Sequence, residues 1–367
     1  MKKVLVLLFG LSFLAVSCNR KSPPTPPPSP SVVVPPAPSI LPPPPPAYTT
    51  ASGKQPQFVV MAFDGSYSLS MWQRTLGFAQ NMTEQGHPVH FTYFLSGVYF
   101  LNYRKAVQYD TPDNKPGTSL IGFADSNIDV EKRVGYVNGA IAGGHEIGSH
   151  ANGHFSGSTW SLENWEQELS QFDKLIFQIP QNNDVSSADA VKYTINIKPE
   201  DIIGFRAPNL GSNNNMFTAL AKTGYKYDTS LTSTPSAWPK KISNGMWEFP
   251  LAYIQYANTK SSLLAMDYNF YFKQSSAKDV TKKGEDLWSQ FYKDTYDSYY
   301  GYFLKNYNAN RAPIFIGSHF SEWNDGVYWE AMRDFGQKVC AEPEVYCVTF
   351  RDLMNYLDSH PTAGTQK

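Results

Sequence analysis

Phe58-Val59-Val60-Met61-Ala62-Phe63-Asp64-Gly65-Ser66 is a run of six apolar residues closed by an acid and two turn formers. An unbroken apolar stretch of this length, rich in valine and phenylalanine, reads as a strand covered on both faces, and Asp64-Gly65-Ser66 ends it at its carboxyl side. A helix is expected next over residues 70–85, with Met71, Leu76 and Phe78 on its buried side, and a second strand over 90–95. The order repeats. Helices over 130–142, 162–177 and 216–222 alternate with strands at 145–148, 202–206, 247–249 and 314–317. This alternation argues for a parallel α/β architecture, either a barrel or an open sheet.

In both architectures chemistry gathers at the carboxyl ends of strands. Asp64 ends one strand, His150 follows another, Arg206 ends a third and His319 follows the run Ile314-Phe315-Ile316-Gly317. Taken singly, each has a plain structural reading: a strand-end aspartate caps a helix, and a lone histidine is a satisfied surface or core residue. Four such groups delivered by four strands point instead to one site. Within Gly144-His145-Glu146-Ile147-Gly148-Ser149-His150-Ala151-Asn152-Gly153-His154, the histidines at 150 and 154 stand four apart. On one helical turn, imidazoles at that spacing share a face and can chelate one metal ion.

The chain has 367 residues, of which 41% are hydrophobic and 15% aromatic, enough for one large domain or two small ones and too apolar for a disordered chain. A net charge of −1, thinly spread, excludes the electrostatic footprint of a nucleic-acid binder and favours a neutral polymer as partner. Tyrosine, tryptophan and phenylalanine in this abundance suit stacking on sugar rings.

Residues 1–18 carry Lys2 and Lys3 ahead of an apolar run from Val4 to Val16, the pattern of a secretory signal, too short to span a membrane. Residues 19–50 are proline-rich, with Pro42 to Pro46 unbroken, and favour extended polyproline II at about 3.1 Å per residue. We read this segment as a tether for a folded domain over 51–360; the alternative is a ligand for a partner's aromatic groove. Cys340 and Cys347, in an exported chain, are positioned to close a small disulfide loop, and no flanking Cys or His pair suggests a zinc site there.

Five blocks, in order, resemble the polysaccharide deacetylases of carbohydrate esterase family 4, most closely the chitin-deacetylase branch. They are Ala62-Phe63-Asp64-Gly65, the run from Gly144 through His154, Gly204-Phe205-Arg206-Ala207-Pro208-Asn209, Gly224-Tyr225-Lys226-Tyr227-Asp228-Thr229-Ser230 with Trp238-Pro239, and Gly317-Ser318-His319. They span about 300 residues. The resemblance implies a distorted (β/α) barrel and a metal-dependent hydrolase acting on linear amides. It implies that His150 and His154 hold Zn2+ or another divalent transition metal, that Asp64 is the catalytic base oriented by Arg206, and that His319 is the general acid. The backbone N–H of Asn209 would face the oxyanion, and Trp238 would wall a pocket for the acetyl methyl or else serve as an ordinary core tryptophan.

The chain departs from the family where two aspartates usually follow one another, since Gly65 stands after Asp64. Either the metal loses a ligand, or Asp64 itself joins the coordination sphere and another group is the base. Gly317, where the family often has leucine, and Asn209, where it commonly has an aromatic, suggest a remodelled cleft. Ala15-Val16-Ser17-Cys18 resembles the lipobox of bacterial lipoproteins, which implies lipidation of Cys18, and Asn19 leans towards the outer membrane of a Gram-negative cell. Ordinary signal cleavage is the alternative.

The expected function is removal of N-acetyl groups from an N-acetylglucosamine polymer, peptidoglycan first and chitin next, by an exported, lipid-anchored periplasmic or outer-membrane enzyme. Two others compete: a sugar-binding protein that has lost turnover with the second aspartate, and an esterase acting on O-acetyl groups of wall polysaccharide.

Overall fold

The computed structural model describes residues 48–364; the signal segment, Cys18 and the proline-rich stretch up to Ala47 lie outside the described residues. β1 (Gln57–Gly65) is buried along almost its whole length. Phe58, Val60 and Ala62 join one apolar cluster, while Val59, Met61 and Phe63 join another. The unbroken apolar run is thus a strand with a core on each face. α1 (Leu69–Glu84) begins at Ser68, whose hydroxyl accepts the Met71 N–H. It buries Met71, Trp72, Thr75, Ala79 and Met82, so the buried stripe is centred on Trp72, with Leu76 and Phe78 half-buried at its flank.

β2 (Thr92–Leu95), α2 (Asn127–Ala142), β3 (Glu146–Ser149) and α3 (Leu162–Phe177) continue the alternation, and a single turn, α4 (Ile179–Asn182), follows. β2 starts two residues later than the sequence pattern suggests, because the Phe91 N–H donates to His145 Nδ1 instead of entering the ladder. β4 is cut to Gly204–Phe205, since Pro208 cannot donate to a ladder and the chain turns away. Gly204 lets Tyr227 close in: a Cβ there would stand 2.0 Å from the Tyr227 ring.

α5 (Asn214–Thr223) leads to β5 (Tyr227–Asp228), β6 (Thr232–Ser233), β7 (Lys240–Lys241), β8 (Trp247–Glu248), β9 (Leu251–Gln255) and β10 (Ser262–Leu264). α6 (Asp267–Ser275), α7 (Asp286–Tyr307), β11 (Ile314–Ser318), α8 (Trp323–Val339), β12 (Val345–Cys347) and α9 (Phe350–Ser359) complete the chain. Cys340 and Cys347 form a disulfide joining the end of α8 to β12.

The main sheet runs β11-β1-β2-β3-β4-β5-β8-β7, with β12 also paired to β1, and curls into a half-barrel of the (β/α) type. Its pairs are parallel apart from β7 with β8, and β10-β9-β6 form a separate small sheet in which β9 and β10 are antiparallel. α9 closes the inner face, where Phe350, Leu353 and Leu357 meet Phe58, Val60, Phe94 and Phe315. The register aligns Phe63 with Ser318, Asp64 with Phe94, Phe94 with Gly148 and Ser149 with Phe205. Asp64, His150, Arg206 and His319 therefore leave their strands at one rim of the half-barrel.

Candidate active site

β1 ends by turning through two left-handed residues, Gly65 (φ +82°) and Ser66 (φ +66°). The Ser66 carbonyl accepts from Trp72 Nε1 at 3.1 Å, which locks the turn onto α1. Asp64, by alternation on the inner side with Val60 and Ala62, is only 3% exposed. Arg206 Nη1 donates to its Oδ1 at 2.8 Å. The guanidinium is itself 1% exposed, donates from Nε to Thr229 Oγ1 at 2.6 Å and lies over the rings of Phe94 and Phe350 at 4.7 and 5.8 Å. Burial alone would raise the Asp64 pKa, but the Arg206 charge beside it outweighs that and holds the carboxyl below the usual carboxylate value.

His150 and His154 do not sit on a helical turn. They lie on the loop after β3, which takes left-handed backbone at Ala151 (φ +53°) and His154 (φ +63°) and brings the two ring centroids to 5.2 Å. Gly153 between them could not carry a side chain, since its Cβ would stand 2.8 Å from the Tyr109 ring. His150 Nδ1 donates to the Arg206 carbonyl at 2.8 Å, because a carbonyl can only accept. Its Nε2 is thereby bare, buried and without a partner. Burial first, then His154, lowers the His150 pKa to about 3, so that ring is neutral at physiological pH; burial, then His319, lowers that of His154 and favours its neutral form too.

An orphaned imidazole nitrogen whose other nitrogen is fixed by a carbonyl is the donor a divalent transition metal requires. His150 and His154 fit two of its ligands. Among the described residues no group of three His, Cys, Asp or Glu side chains is gathered to hold an ion. The donor set is thus one short of the three protein ligands usual in catalytic zinc sites. Gly65 explains the missing carboxylate locally through its backbone: a φ of +82° strains any side chain, while a Cβ would make only ordinary contact with the Tyr99 ring at 3.4 Å.

His319, with 26% of its side chain exposed, follows Ser318 at the end of β11, the strand beside β1, where Ser318 is in register with Phe63. Asp267, the first residue of α6, serves it twice: Oδ1 accepts from His319 Nδ1 at 2.7 Å, and Oδ2 accepts the His319 N–H at 2.9 Å and the Ser318 hydroxyl at 3.0 Å. Burial would lower the His319 pKa; the Asp267 carboxylate, and then Asp64, more than offset that and raise it above the ordinary imidazole value. Asp64 and His319 are pushed apart, one towards the carboxylate and the other towards the imidazolium, as a base and an acid at one site require.

Three further residues escape the sequence reading. Asp267 follows the short strand β10 and carries no motif. Glu168, buried on α3, takes the Asn152 N–H at 2.9 Å and the Tyr109 hydroxyl at 2.9 and 3.1 Å, and so pins the histidine loop. Glu248 pairs with Asp228 across β5 and β8. Burial, then the neighbouring Asp228 charge, raises the Glu248 pKa and favours its protonated form beside Asp228. Asp228 in turn holds Ser230, whose hydroxyl accepts the Ala207 N–H at 2.8 Å beneath the Pro208-Asn209 turn.

Asn209 is exposed and left-handed (φ +55°), and its Nδ2 donates to the His154 carbonyl at 3.3 Å, beside the histidine pair. Trp238 is half-buried, and its ring packs on Gly364, where a Cβ would come within 2.6 Å. At Gly317 the space a side chain would take is filled by Met266 at 2.6 Å and Arg206 Nη1 at 3.3 Å.

No family model matches the chain, and no curated protein matches its sequence. Solved structures do. The "putative polysaccharide deacetylase from Mycobacterium smegmatis" superposes with a TM-score of 0.52 at 13% identity, over 84% of this chain and 93% of that one. Looser superpositions reach the peptidoglycan deacetylase PdaC from Bacillus subtilis (TM-score 0.41, 10% identity, 84% and 94% covered) and a family 4 carbohydrate esterase from Streptomyces lividans in complex with acetate (0.39, 11%, 79% and 91%). With its strand-end residues brought to one rim, the chain has the polysaccharide deacetylase fold, the architecture that its five sequence blocks resemble.

Proposed function

We propose that this protein hydrolyses N-acetyl groups from an N-acetylglucosamine polymer, with peptidoglycan the first substrate to test and chitin the second. The observation that carries the reading is two ion pairs at the ends of adjacent strands, Asp64 with Arg206 and His319 with Asp267. An amide is a poor electrophile with a poor leaving group, so its hydrolysis needs a base for water and an acid for the departing nitrogen. Asp64, kept ionised by Arg206, accepts the proton of the attacking water. His319, kept protonated by Asp267, gives a proton to the amine as the C–N bond breaks. The N–H of Asn209 faces the oxygen on which negative charge gathers.

His150 and His154 would hold a divalent transition metal, zinc among the candidates, which when bound polarises the acetyl carbonyl and acidifies water. As part of the same reading, the enzyme is exported, anchored through a lipid on Cys18 and set off from its membrane by the proline-rich segment.

Incubation of the purified protein and a divalent metal with acetylated glucosamine oligomers and with peptidoglycan, followed by mass spectrometry, tests the proposal. The expected result is loss of one acetyl mass per modified sugar; intact substrates across a panel of divalent metals would sink it. The thin donor set and Gly65 favour one competitor, a sugar-binding protein without turnover. That reading predicts oligomer binding with no acetate released.

A further inference from the structure

The ring of His319 does not stand alone at the rim. Tyr268 lies 5.7 Å from it and Trp323 5.5 Å, centroid to centroid, and the two aromatics are 5.6 Å from each other. Tyr271 backs the indole in a parallel stack at 4.7 Å. Tyr268 is 42% exposed, and Phe272, one helical turn further along α6, is 62% exposed. Residues four apart on a helix share a face, so α6 carries two open rings in line with His319. Single exposed aromatics are ordinary, but a contiguous set beside polar catalytic groups marks a binding surface.

The platform is also held rigid. The Tyr268 N–H donates at 2.7 Å to Asp267 Oδ1, the same oxygen that orients His319, so one carboxylate ties the backbone under Tyr268 to the His319 ring. After Trp323 the chain takes three successive left-handed residues, Asn324 (φ +50°), Asp325 (φ +57°) and Gly326 (φ +73°). Two of these are unfavourable for their side chains and persist only where the surroundings impose them. Asn324, fully buried, supplies that constraint: its N–H donates to Asp279 Oδ1 at 2.7 Å, its Oδ1 accepts the Val280 N–H at 2.8 Å and its Nδ2 reaches the Tyr328 hydroxyl at 3.0 Å. The buried asparagine thus holds the backbone that carries Trp323 beside His319.

We infer that Tyr268, Phe272 and Trp323 form a stacking subsite for pyranose rings of a hexosamine polymer, seating the sugars that adjoin the residue placed at His319. The inference rests on the proposed function for its ligand class and deepens it: the protein reads a chain of sugars, not a lone acetamide. The apolar faces of successive pyranose rings present C–H bonds to the aromatic rings, and the sugar hydroxyls stay in water at the edges.

Calorimetric titration of the full-length protein with N-acetylglucosamine oligomers of two to six units tests it. Affinity should rise with length in the parent, and Tyr268→Ala and Phe272→Ala should each weaken binding of the longest oligomer by about five- to tenfold, roughly what one lost ring contact removes. Tyr268→Phe, which keeps the ring, should restore it. Leu287→Ala, which removes an exposed apolar side chain of α7, serves as a control and should bind as the parent does. Parent-like binding by both alanine variants, or a parent that binds no oligomer, overturns the subsite. Length-dependent binding lost in the alanine variants, with no acetate released by the parent, keeps the subsite and overturns the deacetylase reading instead.

Discussion

Replacing Asp267 by asparagine should move the titration of His319 while leaving its ring in place. Asp267 is 3% exposed, and its two oxygens accept four hydrogen bonds: from Tyr268 N–H, His319 Nδ1, His319 N–H and the Ser318 hydroxyl, between 2.7 and 3.0 Å. An amide keeps one acceptor oxygen and replaces the other with a donor. If that oxygen stays with His319 Nδ1, the new NH2 faces the His319 N–H, donor against donor. The bond to Nδ1 survives but loses its charge assistance, the difference between about 1.5–3 kcal/mol for a bond to an ionised group and about 0.5–1.5 kcal/mol for a neutral one, roughly 1–1.5 kcal/mol. At about 1.4 kcal/mol per pKa unit, the His319 pKa should fall by about one unit.

The sign follows from the direction of the shift. A histidine whose folded pKa is raised stabilises the protein fully below about pH 6.5, and that contribution is lost as pH rises through the folded value. In the variant this contribution should be smaller and its loss complete at a lower pH, and the alkaline limb of kcat/KM should move down with the folded pKa. NMR titration of the His319 ring gives the pKa directly, and the pH–rate profile gives its catalytic consequence. An unchanged ring pKa, or an alkaline limb that stays in place when the ring pKa moves, would refute the reasoning.

Asp64→Asn should lower turnover by about a hundredfold or more, the usual scale for a general base; retention of metal in elemental analysis identifies a base, and loss of metal identifies a ligand. With two protein ligands, the ion should be removable by dialysis against a chelator, and His150→Ala should abolish its uptake, checked by cobalt substitution and absorption spectroscopy. Glu168→Ala strands the buried Asn152 N–H and the Tyr109 hydroxyl and should cost about 3 kcal/mol in denaturant unfolding. Cys340→Ser should cost about 2–3 kcal/mol in the same assay, since the cysteines stand seven positions apart and the disulfide closes a short loop.

Much of the fold is legible in the sequence because its longest elements carry periodic signals. The amphipathic pattern places α3 at Leu162–Phe177, and unbroken apolar runs place β1 and β11. The two-residue strands β4, β5 and β8 are too short to carry a period, and their pairing depends on neighbours in space. The histidine spacing reads as a helical turn, yet the loop is shaped by Glu168 and Tyr109, which lie 16 and 44 positions away from the groups they bond. The packing of Trp238 on Gly364, 126 positions later, carries no signal in the sequence around either residue.

By itself the sequence determined which groups end the strands: Asp64, His150, Arg206 and His319 follow apolar runs closed by turn residues, and a parallel sheet must deliver such residues to one rim. Only the tertiary structure decided their protonation and their supports. Asp267 orients His319 across 52 positions, and Arg206 reaches Asp64 across 142. Strand ends follow from local polarity and period, whereas a pKa is set by burial and by charges that meet only when distant strands are brought together.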